Sequence, residues 1–269
     1  MKLNWLQSIL YGFISGFSEL LPVSSHGHRS LLFYIFGAQN RDPLGDLICR
    51  IGILAAIVVC FRKQVLRLYL REGSTSQKSS TPRQIYFERR LIHSATIPLV
   101  VGILLCTVLV KRYTLIWVAA GFFFNGLILY LTEHLRFGDK NAKLMTRFDS
   151  LLIGVGGALA ALPGLSGIGG MICAGVARGA DKRQCTTWAI LLLIPTVLCL
   201  SGVDFVALFT GAQACFSFFG YLLAGVAAFG GAYVGIKLML YLMVQIGISS
   251  FAYYSWGAAL FTLILYLMT

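Results

Sequence analysis

Glu19-Leu20-Leu21-Pro22-Val23-Ser24-Ser25-His26-Gly27-His28 interrupts one apolar run of this chain, and Pro163-Gly164-Leu165-Ser166-Gly167-Ile168-Gly169-Gly170 interrupts another. Each is a cluster of helix-breaking and hydroxyl residues with apolar sequence on both sides. Non-helical backbone at membrane depth is tolerated only where protein buries it or where it lines a cavity, because lipid cannot bond its amides. The two breaks therefore read as two halves of one polar pocket inside a bilayer.

Composition supports the membrane. Hydrophobic residues make up 58% of the 269-residue chain and charged residues 12%, which is not the balance of a soluble domain. At about 20 residues per span, six to eight passes use the whole chain. The apolar stretch that begins at Asn4 and Trp5 has neither a basic leader nor a small-residue cleavage pattern, and it reads as a retained segment rather than a signal peptide.

The net charge of +12 raises nucleic acid as a partner, but the positions of the charges argue against it. One cluster comprises Arg62, Lys63, Arg67, Arg71, Lys78, Arg83, Arg89 and Arg90. Arg136, Lys140, Lys143 and Arg147 form a second, and Arg178, Lys182 and Arg183 a third. Basic residues gathered between apolar runs are the mark of cytoplasmic loops beside anionic headgroups, so the expected partner is the membrane and no nucleic acid. The seven cysteines are scattered through apolar sequence without metal-ligand spacing and read as small packing residues.

Several apolar runs are too short to span: ten residues of helix cover about 15 Å of a hydrocarbon core of about 30 Å. The pieces flanking Pro22 and Pro163 are therefore expected to be two re-entrant helical hairpins, which leaves six full spans. With that count all three basic clusters fall on one side, and the hairpins enter from opposite sides so that their breaks meet near the midplane. The fold class expected is an all-α polytopic membrane protein with six transmembrane helices, two opposed re-entrant hairpins and an inverted-topology repeat. Gly16, Leu21, Pro22 and Ser25 recur as Gly157, Leu162, Pro163 and Ser166 at one constant offset, which divides a single membrane domain into halves of about 1–133 and 134–269.

Candidate chemistry gathers at the breaks. Glu19 is a carboxylate in an apolar helix, where it is costly and functional by default. Ser24, Ser25, His26, Gly27 and His28 offer hydroxyls, imidazoles and amides at the start of a new helix, a place that attracts anions and phosphate above all. Asp46 and Arg50 stand one turn apart with the acid first, which favours an ion pair; alternatively Arg50, permanently charged and suited to phosphate, faces the same cavity as His28. The second break offers the Ser166 hydroxyl and glycines, Gly167 among them, whose successive amides can grip an anion; a helix-packing or hinge role stands beside that. His93, Asp204 and Lys237 are expected near the interface, and Trp5, Trp117 and Trp256 belong to an aromatic belt.

At these residues the chain resembles the undecaprenyl-diphosphatase family, the bacitracin-resistance type of lipid-pyrophosphate phosphatase. The family's first motif, E-G-x-x-E-[FL]-L-P-x-S-S-x-G-H, falls on Ser15 to His28; its D-x-x-x-Q-x-G falls on Asp46 to Gly52; and its second motif, P-G-x-S-R-S-G-x-T, falls on Pro163 to Met171. The departures are as plain. Ser15 stands where the family has its first glutamate, Gly167 where it has arginine, Ile168 and Met171 where it has serine and threonine, Arg50 where it has glutamine, and Ser255 where it has an arginine near the C-terminus.

The resemblance implies release of phosphate from a polyprenyl diphosphate at the outer face of a bacterial plasma membrane, recycling the lipid carrier of cell-wall synthesis. It also implies a divalent cation, Mg or Ca, held by Glu19 and substrate phosphates. Under it, Glu19, Ser25 and His28 are the candidate catalytic residues, and Ser24, His26, Gly27, Arg50, Ser166 and Gly167 the candidate phosphate ligands, with Arg50 making up for the lost arginine. The alternative is a relative that binds or moves a polyprenyl phosphate without hydrolysing it. A homodimer is carried as a further expectation.

Overall fold

The computed structural model describes residues 3–37, 42–69, 82–110, 113–135, 138–209, 215–245 and 247–268; Arg71, Lys78 and Arg136 lie outside them. The apolar runs fold as α1 (Trp5–Glu19), α2 (Ser25–Ile35), α3 (Pro43–Tyr69), α4 (Pro82–Leu109), α5 (Leu115–Glu133), α6 (Arg147–Ala158), α7 (Gly167–Ala177), α8 (Lys182–Leu208), α9 (Phe218–Gln245) and α10 (Ser249–Leu267). Six of these, α3, α4, α5, α8, α9 and α10, are long and apolar enough to cross a membrane. The protein is thus an all-α, multi-pass membrane protein with the six spans expected. The other four are short, of 15, 11, 12 and 11 residues, and form two helix–turn–helix pairs around the two breaks.

Both pairs begin with the same device. Asn4 and Gln7 exchange side-chain-to-backbone hydrogen bonds of 2.8 and 2.9 Å at the start of α1, and Thr146 and Asp149 do so at 3.1 and 2.8 Å at the start of α6. Such capping boxes satisfy amides that a helix start leaves without intrahelical carbonyls. Each pair then packs on a helix from the other half of the chain: α1 lies on α9, and α6 lies on α4. The approach is close because the residues are small. A Cβ at Gly12 or Gly16 would come within 2.1 or 2.0 Å of the carbonyls of Ala224 or Ala228. Around this core α5 packs on α10 and α3 on α8, while Leu105, Val108, Phe218, Phe219 and Val226 face outward as a lipid-suited surface.

The basic clusters meet at one end of the bundle. Arg90 donates to the Met145 carbonyl at 3.0 Å, Lys140 to the Arg178 carbonyl at 2.9 Å, and Arg178 pairs with Asp149. His93 is exposed, as are Lys237, Trp5 and Trp117. Asp204 is a correction to the sequence expectation: it does not snorkel to the interface but is fully buried and ion-paired with Arg50 across α3 and α8.

Candidate active site at the two joined breaks

α1 ends where Pro22 cannot continue it, and the chain turns through Ser24, whose φ of 65° is unusual for a residue with a side chain. Ser24 then caps α2 by accepting from the Gly27 amide at 3.2 Å. In the second break Gly164 takes the left-handed conformation, with φ +80°, and Ser166 caps α7 by accepting from the Gly169 amide at 3.2 Å. By fold, then, Ser166 corresponds to Ser24, whereas the offset that superposes the prolines pairs it with Ser25; the second turn is one residue longer.

A residue that the sequence pattern passes over joins the two breaks. Asn125, on α5 and buried, donates to the Pro22 carbonyl at 2.9 Å and to Ser255 Oγ at 3.0 Å, and accepts from the Ser166 amide at 3.0 Å. The signal was available: a lone carboxamide in an apolar span is costly unless its bonds are met. Ser166 Oγ also reaches the Leu21 carbonyl at 3.4 Å. Gly121 lets the second break seat on α5, since a Cβ there would lie 2.0 Å from the Pro163 carbonyl.

Where the breaks meet, a small cavity of about 10 Å³ is lined by Glu19 and Ser25 on one side and by Ser166, Gly167 and Ile168 on the other. The Ser25 hydroxyl donates to the Glu19 carboxylate, which is 8% exposed. A hydroxyl bonded to a carboxylate is the arrangement of a nucleophile and its base. Gly167 and Ile168 open α7, so their amides have no intrahelical carbonyl and stand at the positive end of the helix dipole. The cavity thus sets the Ser25 hydroxyl and its carboxylate partner against the start of α7.

The other candidates fall elsewhere. His28 donates from Nδ1 to the Ser24 carbonyl at 2.7 Å, which in the neutral ring leaves Nε2 to accept from Tyr254 at 2.7 Å. It braces the turn against α10 and does not line the cavity. His26 bonds Tyr113 at 2.6 Å. Gly27 spends its amide on the cap and packs on Phe122 and Gly164, where a Cβ would meet atoms at 2.6 and 3.1 Å. Arg50 is a correction: buried between α3 and α8, it is held by Asp204 and donates to the Leu200 carbonyl at 2.8 Å, so the structure does not bring it to the cavity. Asp46 instead carries Arg29, at 3.1 Å, and the Tyr11 hydroxyl. Arg29, a buried cation in the short helix α2, is the second functional candidate that sequence reasoning missed.

Metal-binding capacity follows from the donor set. Among the described residues no group of three or more His, Cys, Asp or Glu side chains comes together, and Glu19 is the one carboxylate lining the cavity. These donors fit a cation shared with substrate phosphates and do not make a closed protein cage.

The fold and this junction define a multi-pass membrane protein with a hydroxyl–carboxylate pair facing a helix start. The chain belongs to the bacitracin resistance protein BacA family, whose model matches residues 8–261. It is 27% identical to an undecaprenyl-diphosphatase of Carboxydothermus hydrogenoformans, over 94% of each chain. It is 30% identical to one of Methanobrevibacter smithii, over 93% of this chain and 94% of that one. Against one of Caldicellulosiruptor bescii the identity is 29% over 97% of each.

Proposed function

We propose that this protein is a phosphatase that releases inorganic phosphate from a polyprenyl diphosphate, undecaprenyl diphosphate by the names of its relatives, and so returns a lipid carrier to cell-wall synthesis. The single observation that carries this is the Ser25–Glu19 hydrogen bond facing the start of α7 across one cavity. Glu19 takes the Ser25 proton as Ser25 Oγ attacks the terminal phosphorus, and the bond to the bridging oxygen breaks, so polyprenyl phosphate leaves. Water then cleaves the phosphoserine and inorganic phosphate departs. The amides of Gly167 and Ile168 hold the non-bridging oxygens, where charge stabilisation matters most, and the Ser166 hydroxyl joins them by turning its proton away from the Leu21 carbonyl. A Mg or Ca ion held by Glu19 and the diphosphate would neutralise phosphate charge. Ser24, Gly27, His26 and His28 keep the turn in shape.

In this reading the two short helix pairs are opposed re-entrant hairpins of an inverted repeat with halves of about 1–133 and 134–269. The paired capping boxes, the corresponding cap serines and the exchanged packing of α1 on α9 and α6 on α4 support it. The basic end then faces the cytoplasm by the positive-inside rule, and the site opens to the outer face of the plasma membrane.

The test is phosphate release from a long-chain prenyl diphosphate by purified protein with Mg or Ca. Glu19→Gln and Ser25→Ala are each expected to lose more than about 100-fold in turnover while remaining folded. Folded wild-type protein that binds prenyl phosphate and releases no inorganic phosphate would refute the enzyme and leave a lipid-carrier binding protein.

A further inference from the structure

α1 and α2 run antiparallel through the first break, and two contacts set their register. Ser25 bonds Glu19 beside the turn, and the rings of Tyr11 and Phe33 pack 4.9 Å apart farther from it. Ser15 lies one helical turn from Tyr11 and one from Glu19; Arg29 lies one turn from Ser25 and one from Phe33. Ser15 and Arg29 therefore share the next rung along the hairpin, about 5.4 Å farther from the turn than the Glu19–Ser25 pair.

Both residues are buried, with exposures of 1% and 5%, and both hold a polar atom with nothing to bond: Ser15 Oγ and Arg29 Nε. Buried donors are almost always satisfied, and two unmet ones on a single rung point to a ligand that brings oxygens. Asp46 does not account for them. It engages Nη1 of Arg29 at 3.1 Å and the Tyr11 hydroxyl, which orients the guanidinium and leaves Nε over. Electrostatics agree. The side chains lining the cavity include the Glu19 carboxylate and no cation, so a diphosphate entering beside Glu19 needs positive charge. Arg29 interacts electrostatically with Glu19 as well as with Asp46.

We propose that Arg29 and Ser15 form the end of the phosphate site farther from the turn, with Arg29 Nε–H and the Ser15 hydroxyl donating to non-bridging oxygens of a phosphate or diphosphate headgroup. Arg29 is then the site's cation, a charge that Gly167, with only an amide to offer, does not supply. Its contribution to turnover rests on the phosphatase reading; its contribution to binding does not.

The experiment pairs two probes. Farnesyl diphosphate reports turnover, and farnesyl monophosphate, titrated calorimetrically, reports binding. Arg29→Gln is expected to lose about 100-fold or more in kcat/KM and to bind the monophosphate at least about tenfold more weakly, whereas Arg29→Lys recovers part of both. Because Arg29→Gln also strands Asp46, the double variant Arg29→Gln with Asp46→Asn removes the ion pair as a unit, and thermal unfolding verifies that it is folded. If Arg29 only neutralises Asp46, the double variant regains wild-type turnover and binding, which overturns the proposal. If Arg29 holds phosphate, the double variant stays defective in both. Wild type without turnover but with Arg29-dependent monophosphate binding would sink the phosphatase reading and uphold Arg29. Monophosphate binding unaltered in Arg29→Gln would overturn the Arg29 assignment whatever turnover shows.

Discussion

Replacing Asn125 by alanine should separate the two breaks. The side chain makes three hydrogen bonds, to the Pro22 carbonyl, Ser255 Oγ and the Ser166 amide, at 2.9 to 3.0 Å and 3% exposure. Alanine strands two backbone groups inside protein, each worth about 1–3 kcal/mol, while the Ser255 hydroxyl can rotate. The expected loss is about 3–5 kcal/mol. Ser255→Ala, which removes one of the three bonds, should lose about 1 kcal/mol. In the double variant the effect of Ser255 should largely vanish, a coupling of about 1 kcal/mol. Thermal unfolding in detergent measures the stabilities, and phosphate release from a prenyl diphosphate measures the site. A displacement of about 1 Å between Ser25 and the start of α7 costs about 100-fold in rate, so the fraction of Asn125→Ala that is folded should turn over about that much more slowly. An Asn125→Ala protein as stable as Ser255→Ala, or one with full turnover, would refute the idea that this carboxamide holds the breaks in register.

Other outcomes follow from buried charge and close approach. Arg50→Gln leaves Asp204 buried and uncompensated and should destabilise by about 3–5 kcal/mol, whereas Arg50→Leu with Asp204→Leu should come within about 1–2 kcal/mol of wild type; turnover per folded molecule should not fall in the double variant, as an activity assay beside unfolding will check. Gly121→Ala puts a Cβ 2.0 Å from the Pro163 carbonyl and should destabilise by about 2–3 kcal/mol with loss of turnover. Gly202→Ala, where a Cβ meets nothing within 4 Å, should be neutral or stabilise by up to about 1 kcal/mol in the same assay.

The features that were legible in the sequence were those that obey one-dimensional rules. Apolar length foretold six spans, the Pro22 and Pro163 clusters foretold where helices stop, and Glu19 announced itself as a carboxylate in an apolar helix. What escaped were pairings across helices. Asp46 and Arg50 are spaced as partners on one helix, yet Asp46 carries Arg29 from α2 and Arg50 is held by Asp204 from α8. Periodicity reports which residues share a face, not which neighbour that face meets. His28 escaped for a similar reason: its position in the motif suggests chemistry, but Tyr254, more than two hundred residues along the chain, takes its free nitrogen. Asn125 was silent because a single asparagine carries no pattern.

The seating of α1 on α9 has a consequence for how the protein is made. The partner carbonyls of Gly12 and Gly16 belong to Ala224 and Ala228, so α1 waits for a helix about two hundred residues further along the chain before its small-residue face is covered. Contacts so distant in sequence form late. The first break, with its carboxylate and its strained serine, is therefore held by incomplete scaffolding throughout synthesis, and a chain arrested before α9 would carry every motif residue and still have no assembled site.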